Sequence, residues 1–266
     1  DELTVSDVGN HPVGRVKLGR YHVLEVVGSG GMGVVWGAWD PQLDRRVAIK
    51  LITGPREWIV SEAQALAKLS HPNVVAAYDV GVVEGDVYLV MEWVHGETLR
   101  DYCSKRRSIA ETVAVYREAG HGLAAAHRAG IVHRDFKPDN AIRGDDGRVR
   151  VLDFGLACGT DIGSSAQYIG TPRYMPPEQV DGAVITPAAD QYALCVSLRE
   201  ALVARADLPG WLDDVITRGT AIDPANRFSS MAALVDALER GPASRSLRCR
   251  GTARSRGSAC RSRRRS

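Results

Sequence analysis

Five short motifs follow one another along this chain, and their order and spacing restrict its fold more than any other sequence feature. They are GSGGMGVV at 28–35, VAIK at 47–50, HRDFKPDN at 133–140, DFG at 153–155 and PPE at 176–178. A glycine-rich turn alone is a weak indication of a binding site, because such turns are common. The set is informative because it combines glycines, lysines, carboxylates and an amide. These distant segments must meet in space if they act together.

The composition is that of a globular protein with a basic tail. The chain has 266 residues, 44% hydrophobic and 25% charged, enough for two lobes with cores of their own. Its net charge of +2 hides an asymmetry, because residues 241–266 hold nine Arg and no acidic residue and leave −7 on the first 240. We expect 1–20 to be a poorly ordered lead-in and the Arg/Ser-rich tail 241–266 to be disordered.

Cysteine spacing and hydropathy bear on location and partners. The five cysteines form no CxxC pair, which favours reduced thiols in a cytoplasmic protein over a zinc site. No apolar run reaches the roughly 18 residues of a spanning helix, although a membrane anchor outside this chain stays open. We do not expect the tail to contact nucleic acid or an anionic membrane. No aromatic residue interleaves its arginines to stack on bases.

Periodicity predicts a strand-rich first part and a helical second part. Turn signals separate the strands and His71-Pro72 ends the first helix. The expected strands are His22–Val27, Val34–Trp39, Arg46–Leu51, Val74–Val80, Val87–Met91 and Val149–Leu152. The expected helices are Glu57–Leu69, Ala110–Arg128, Pro187–Val203, Trp211–Gly219 and Ser230–Arg240.

The glycine-rich segment lies between two predicted strands. Glycines there allow backbone N–H groups to approach phosphates closely, and a tight hairpin without a ligand is the alternative. Because a strand rather than a helix follows the glycines, the dinucleotide-binding and Walker-type arrangements are disfavoured.

The second motif places a small residue and a cation on one face of a strand. Ala48 and Lys50 are two residues apart, so their side chains share that face. Glu62 has helical spacing with Leu66 and Leu69, and a carboxylate on an apolar stripe needs a cation. We predict a Lys50–Glu62 ion pair, with Glu57 as the fallback partner and a surface lysine as the alternative.

The third and fourth motifs supply groups for proton and phosphate handling. Asp135 can accept a proton from a hydroxyl, and Lys137 can offset charge on a transferring phosphoryl group. Asn140 and Asp153 can give oxygen ligands to Mg²⁺. An Asp/Asn-rich surface loop and a turn-forming Asp before Gly155 are the alternatives.

Together, these residues resemble the signature set of protein kinases from Tyr21 to Arg240. The placement of a lysine, Lys137, two residues after Asp135 resembles serine/threonine rather than tyrosine kinases. The stretch LAKLSHPNVV at 66–75 resembles the eukaryotic-like kinases of bacteria. The resemblance implies an α+β bilobal protein-kinase-like fold. Residues 21–94 would form a small antiparallel β-sheet lobe with one helix, and 95–240 a larger, mainly helical lobe.

The resemblance also implies MgATP-dependent transfer of phosphate to Ser or Thr of proteins, including the chain itself, with self-association for that step. A kinase-like scaffold that binds ATP without catalysis is the alternative. Asp135, Lys137, Lys50 and Glu62 would be catalytic, and Asn140 and Asp153 would hold the metal. ATP would contact Gly28, Ser29, Gly30, Gly31, Met32, Gly33, Val35, Ala48, Lys50, Met91, Glu92, Val94, Asn140 and Asp153.

Further roles follow from the same resemblance. Met91 would be the gatekeeper, and backbone groups of Glu92 and Val94 would bind adenine. Asp153–Glu178 would be the activation segment, with Thr171 positioning Asp135 and Lys137. Residues 133–140 would form the catalytic loop, and Asp190 would brace it. Glu178 and Arg227 would form an ion pair, and Thr160, Ser164 and Ser165 are candidate phosphorylation sites.

The chain departs from the family pattern in one region above all. Between the long helix and Trp211 lie only residues 204–210, where kinases usually carry a longer loop and a helix used for docking. Pro176, Phe136 and Cys195 are smaller departures. The short segment leaves the phosphate-handling residues untouched and puts substrate docking in question.

Overall fold

The computed structural model describes residues 17–30, 33–52, 56–83, 86–154, 171–203 and 205–241. Within these ranges, the side chains at 29, 30, 33, 56–58, 61 and 62 are outside the description. The predicted lead-in through residue 16 and the predicted disordered tail from 242 onward also lie outside the described residues.

Six antiparallel strands form the N-terminal sheet, in the order β1-β2-β3-β4-β6-β5. They are β1 (Lys17–Leu18), β2 (Tyr21–Gly30), β3 (Gly33–Asp40), β4 (Arg45–Ile52), β5 (Ala77–Val83) and β6 (Asp86–Glu92). The five strands predicted here are confirmed. The sequence pattern missed β1, whose two residues are too few to show a period and which extends the sheet into the segment expected to be lead-in.

Strand β5 begins at Ala77, three residues later than in the predicted strand Val74–Val80. Val74, expected to start it, forms an isolated parallel bridge with Val151, and Val75 N donates to Val151 O at 3.0 Å. The backbone here is therefore used to join the first sheet to the C-terminal part of the molecule. The side-chain pattern of Val74 and Val75 is equally suited to either pairing.

The sheet buries both of its faces. Val47, Ile49 and Leu51 belong to a small cluster on the outer face, while Ile52 joins the main core on the inner face and Ala48 packs against it. This alternation is what the period of two along a strand requires. Helix α1 (Arg56–Lys68) covers the inner face with buried residues at helical spacing, namely Ile59, Ala63 and Leu66.

Helices dominate the rest of the chain. They are α2 (Leu99–Ser104), α3 (Ile109–Arg128), α4 (Pro177–Val180), α5 (Pro187–Leu202), α6 (Gly210–Gly219) and α7 (Met231–Arg240). Ser108 and Glu111 form a capping box that starts α3. A three-stranded sheet of β7 (Gly96–Thr98), β8 (Ala141–Gly144) and β9 (Val149–Val151) carries the segments predicted to be catalytic. The predicted α+β bilobal architecture and its longer helices are confirmed.

Short elements escaped the sequence analysis. The six residues of α2 are too few to be stable by helical propensity, and burial of Leu99 and Tyr102 holds the helix against the core. Similarly, β7 and β8 are three and four residues long. Tertiary packing decides such elements.

The connection between α5 and α6 is as short as the sequence implies. No helix occurs in its described part, residues 205–209. Arg205 pairs with Asp207 at 3.0 Å and donates to Arg107 O at 2.9 Å, which fastens the connection to the loop before α3. Among the described helices, none is both long and apolar enough to cross a bilayer.

The packing of α3 against the segment before β5 depends on Gly122. A Cβ atom at this position would lie 2.2 Å from Asn73 O, a backbone atom that cannot rotate away. We expect Gly122→Ala to lower the free energy of unfolding by about 1–3 kcal/mol through overpacking, despite the helical preference of Ala.

Chemical denaturation measures this effect, with Gly210→Ala as the matched control. Gly210 begins α6, and no atom lies within 4 Å of an added Cβ. The control should unfold at or above the wild-type midpoint. Equal stability of the two variants would contradict the close approach.

Candidate active site

A buried carboxylate positions the catalytic loop. Asp190, in the first turn of α5, is 1% exposed. It accepts hydrogen bonds from His133 N at 2.8 Å and Arg134 N at 2.9 Å, and His127 Nε2 lies 2.7 Å from it. Arg134 adopts φ 66°, a left-handed conformation that a non-glycine residue keeps only when its surroundings hold it. The predicted contact of Asp190 with this loop is present.

The same contacts keep Asp190 charged. Burial acts to raise the pKa of its carboxyl, but the hydrogen bond with His127 and the nearby His127 and His133 rings outweigh burial and hold the pKa below its ordinary value. The anion therefore persists at neutral pH and continues to accept from the loop backbone.

Asp135 is held by three neighbours. Its Oδ1 accepts from Thr171 N at 2.9 Å, while Lys137 Nζ lies 3.3 Å and Asn140 Nδ2 3.4 Å from its Oδ2. Lys137 Nζ also donates to Thr171 Oγ1 at 2.9 Å. Thr171 thus contacts both residues that it was predicted to position. Asp135 itself is 5% exposed.

Asp153 lies beside this group and meets the cation from β4. Lys50 Nζ is 3.1 Å from Asp153 Oδ1, and the Lys50 side chain is only 6% exposed. Leu152 N donates to Asn140 O at 2.8 Å, which aligns Asp153 with the catalytic loop. Asp153 has φ 52°, again a left-handed backbone. The side chains of Glu62 and Glu57 lie outside the described residues, so the predicted pairing of Lys50 with either stays a prediction.

His133 was named within its motif but given no role. Its ring is buried and lies 4.9 Å from the Phe154 ring and 5.8 Å from that of Phe136. Nε2 is 2.8 Å from Leu152 O, and because a carbonyl only accepts, Nε2 carries the proton. His133 therefore joins the catalytic loop to Asp153 through the residues on either side of it. The sequence signal available for this role was one phenylalanine in each of the two motifs, Phe136 in the third and Phe154 in the fourth.

Four of the predicted nucleotide-binding residues lie on one sheet face. Val35 is opposite Lys50, and Ala48 is opposite Met91, in antiparallel register. Directly opposed residues share a face, as do residues two apart in a strand. Val35, Ala48, Lys50 and Met91 therefore line one surface. Val94 is partly buried against the main core.

The glycine-rich segment is described in part. Gly28 pairs with Val35 in the β2–β3 ladder, and no atom of the described residues lies within 4 Å of a Cβ added to it. The space beside Gly28 is therefore open. Ser29, Gly30 and Gly33 are described in their backbone only, while Gly31 and Met32 lie outside the described residues, as do Thr160, Ser164 and Ser165.

Arg150 links the segment predicted to bind adenine to the C-terminal part, and the sequence analysis missed it. Its Nε is 3.0 Å from Glu92 Oε1, and its Nη2 is 2.8 Å from Asp146 Oδ2. These contacts raise the pKa of Arg150 and lower that of Asp146. Glu92 was predicted to act through its backbone, and its side chain has this second, structural role.

A polar network below the catalytic loop was also missed. Arg100 donates to Asp139 at 2.7 and 2.8 Å and to Tyr174 at 2.9 Å. Glu200 accepts from Tyr174 and lies 3.0 Å from Arg173. The hydrogen bond from Arg100 holds the pKa of Asp139 below its usual range. These residues are distant in sequence, so no local pattern marks them as a unit.

The ion pair predicted between Glu178 and Arg227 is present. Arg227 Nη2 donates to Glu178 Oε2 at 2.7 Å, and the Arg227 side chain is fully buried. Arg227 also donates to three carbonyl groups, those of Ala188, Ala221 and Ile222. The pair thereby fixes α4 to the segment between α6 and α7.

Comparison with known proteins agrees with this architecture. The family model described as "Protein kinase domain" matches residues 21–234. The chain belongs to the protein kinase family. Within that family it is related to serine/threonine kinases of bacteria, so the resemblance seen in the motifs is confirmed.

Three relatives illustrate the relationship. A probable serine/threonine-protein kinase, pknA2 of Bifidobacterium longum, is 38% identical over 211 residues, covering 74% of this chain and 28% of the relative. PrkC of Bacillus subtilis is 33% identical over 257 residues (82% and 40%). PknL of Mycobacterium tuberculosis is 35% identical over 259 residues (83% and 65%). The chain spans less than two thirds of the length of each.

Breaking the buried Glu178–Arg227 pair should destabilise the protein strongly. Arg227→Met leaves a 10%-exposed carboxylate without its cation, and we expect a loss of about 3–5 kcal/mol in the free energy of unfolding. The double variant Glu178→Leu/Arg227→Met should recover part of this loss, because no buried charge remains unpaired.

Urea denaturation of the single and double variants provides the measurement. Arg117→Met is the matched control, since it breaks the Arg117–Glu239 pair, whose side chains are 37% and 36% exposed. It should cost less than about 1 kcal/mol. A loss at Arg227 no larger than that at Arg117 would show that burial does not control the strength of these pairs.

Proposed function

We propose that this chain is an active serine/threonine protein kinase that transfers the γ-phosphate of ATP to Ser and Thr hydroxyls of proteins, including its own. The observation that supports this most is the convergence of two groups of charged and polar residues. Asp135 contacts Lys137 and Asn140, Asp153 contacts Lys50, and the backbone of Leu152 connects the two groups. The names of the relatives point to the same chemistry.

Asp135 is suited to act on the attacking hydroxyl. Oδ1 accepts a backbone hydrogen bond, which fixes the carboxylate plane, and Oδ2 lies beside Lys137 and Asn140. A carboxylate held in this way can orient a hydroxyl group and accept its proton. Because Thr171 N donates this hydrogen bond, the carboxylate of Asp135 lies beside the start of the segment that precedes α4.

Two lysines provide the positive charge that phosphoryl transfer needs. Lys137 is 26% exposed, so its ammonium group can reach a ligand while it contacts Asp135 and Thr171. Lys50 reaches the same region from the sheet and contacts Asp153. Fixed cations at a site of developing negative charge lower the barrier without reorganisation.

The residues present fit magnesium bound together with a nucleotide. Asn140 uses its Nδ2 to donate to Asp135 O at 2.9 Å, so its Oδ1 remains for a ligand, and Asp153 adds a carboxylate. In the described part of the chain, no three His, Cys, Asp or Glu residues converge to hold a metal ion. Mg²⁺ favours six oxygen ligands, so phosphate oxygens and water would complete its coordination. The ion would screen the phosphate charges when bound.

The nucleotide base would lie against the sheet face already described. Val35 and Ala48 would cover the adenine ring and Met91 would limit the depth of the pocket, with backbone groups of Glu92 and Val94 as hydrogen-bonding partners. The contact between Glu92 and Arg150 supports the adenine-binding role of this segment, because it fixes the side chain of Glu92. The open space at Gly28 suits approach of the phosphates.

The proposal also covers partners and location. We expect the substrates to be proteins, two copies of the chain to associate for autophosphorylation, and this domain to lie in the cytoplasm. The short α5–α6 connection bears on docking, since it presents no helix in residues 205–209. We expect substrates to be held mainly by the segment around Thr171 and Tyr174 rather than by this connection.

Replacing the proposed base tests the function directly. Asp135→Asn removes the proton acceptor while keeping the size of the side chain, and phosphate incorporation should fall by at least about 100-fold. Intact-mass measurement after incubation with MgATP, with mapping of modified residues, gives both the extent and the Ser/Thr specificity.

Asp145→Asn is the control, because Asp145 is exposed and its carboxylate makes no contact in the described part of the chain. Its activity should equal that of the wild type. Equal incorporation by wild type and Asp135→Asn would refute the assigned role. ATP binding by the wild type without any incorporation would favour a non-catalytic scaffold.

The proposed Lys50–Glu62 pair gives a second test. Glu62→Ala should lower kcat/KM by about 100-fold by releasing Lys50 from its working position, whereas stability should change by a few kcal/mol at most. Glu57→Ala, in the same helix, is the matched variant. A larger activity loss in Glu57→Ala would identify Glu57 as the partner instead.

A further inference from the structure

A groove of about 840 Å³ lies on the C-terminal part, away from the catalytic loop. It is bounded by the last turn of α3, the start of α5, the end of α6 and the start of α7. Its volume is in the range of roughly 300–1,000 Å³ found for ligand sites. The mechanism proposed above makes no use of it.

The groove is lined by cations and by no carboxylate among its described residues. Arg128 is exposed and forms no ion pair within the described part of the chain. Among the described residues, Arg218 donates to Arg227 O at 3.3 Å and lies over the face of Phe228, 4.4 Å from its centroid. The third arginine, Arg227, is already neutralised by Glu178. Two arginines that have no carboxylate partner among the described residues thus border one cavity.

Neighbouring carboxylates are already engaged. Asp190 lies under His127 and accepts from the catalytic loop, and Asp223 caps the short turn that follows α6 by accepting from Ala225 N at 2.9 Å. Neither lines the groove. The negative end of the α3 dipole also faces this region, and Arg128 lies in that turn and offsets it.

Further hydrogen-bond donors border the groove. Helix α7, ten residues long, begins here, and Ser230 caps it by accepting from Ala233 N at 3.1 Å. The N–H groups of Met231 and Ala232 have no acceptor in the described part of the chain.

Apolar residues share the lining with these donors. Pro224, Ala225, Phe228 and Ala188 supply surface on which a chain segment could pack. A free inorganic anion would use the arginines and leave this surface empty. The basic tail 242–266 does not complement the groove, since it carries nine Arg and no acid.

We propose that this groove binds a phosphorylated segment of a protein, with Arg128 and Arg218 holding the phosphate group. Arginine binds phosphate through paired N–H groups, and a helix N-terminus adds N–H donors and a favourable dipole. The residues of the phosphopeptide on either side of the phosphate pack on the apolar lining.

Fluorescence anisotropy with a labelled phosphoserine peptide and its unphosphorylated twin tests this inference. The wild-type chain should bind the phosphopeptide more tightly, and affinity should fall as salt rises. Arg128→Gln and Arg218→Gln should each weaken binding by about tenfold or more. The assay requires no catalytic turnover, so a failure of the kinase proposal would not alter its outcome.

Arg106→Gln is the matched control, because Arg106 is exposed and does not line the groove. It should bind like the wild type. Unchanged phosphopeptide affinity in both Arg128→Gln and Arg218→Gln, or equal affinity for the two peptides, would overturn the proposal. So would binding of inorganic phosphate or phosphoserine alone as tightly as the peptide, because the site would then serve a free anion.

Discussion

The interaction on which the site depends is the burial of the Asp190 carboxylate beneath the catalytic loop. A charge with 1% exposure is tolerated because two backbone N–H groups and His127 replace its water. The same bonds hold Arg134 in a left-handed conformation, and that turn leads the chain directly into Asp135. A rigid long helix, α5, therefore determines where the loop runs, and the energetic need to satisfy a buried anion makes the arrangement specific.

From this point, backbone contacts extend the order to other segments. Leu152 accepts from His133 and donates to Asn140, which aligns Asp153 with the loop. Thr171 adds a third segment through Asp135 and Lys137. Three stretches of chain thus supply the charged groups, while the aromatic contact of His133 with Phe154 packs beneath them. Backbone groups position the first two stretches, whereas the side chains of Asp135 and Lys137 hold the third.

The two lobes are joined by specific contacts rather than by apolar packing alone. Asn73 donates to Val149 O at 2.8 Å, the Val74 bridge lies next to it, and Arg150 holds Glu92. Below the loop, the Arg100 network and the Glu178–Arg227 pair support the C-terminal part. The short α5–α6 connection is fastened by Arg205. The Arg100 network and the Glu178–Arg227 pair do not involve this connection, so the C-terminal part has ionic contacts that are independent of it.

The sequence by itself determined the fold class, the long helices and the groups that meet at the site, because regular burial and fixed motif spacing are local properties. It also indicated the contacts of Thr171, Asp190 and Glu178 through resemblance. Only the tertiary structure decided that Val74 pairs with β9, that α2 is helical, and that Arg150 and Arg100 serve distant carboxylates. These outcomes depend on burial and on partners far along the chain, and a side chain that suits several pairings carries no local record of which one forms.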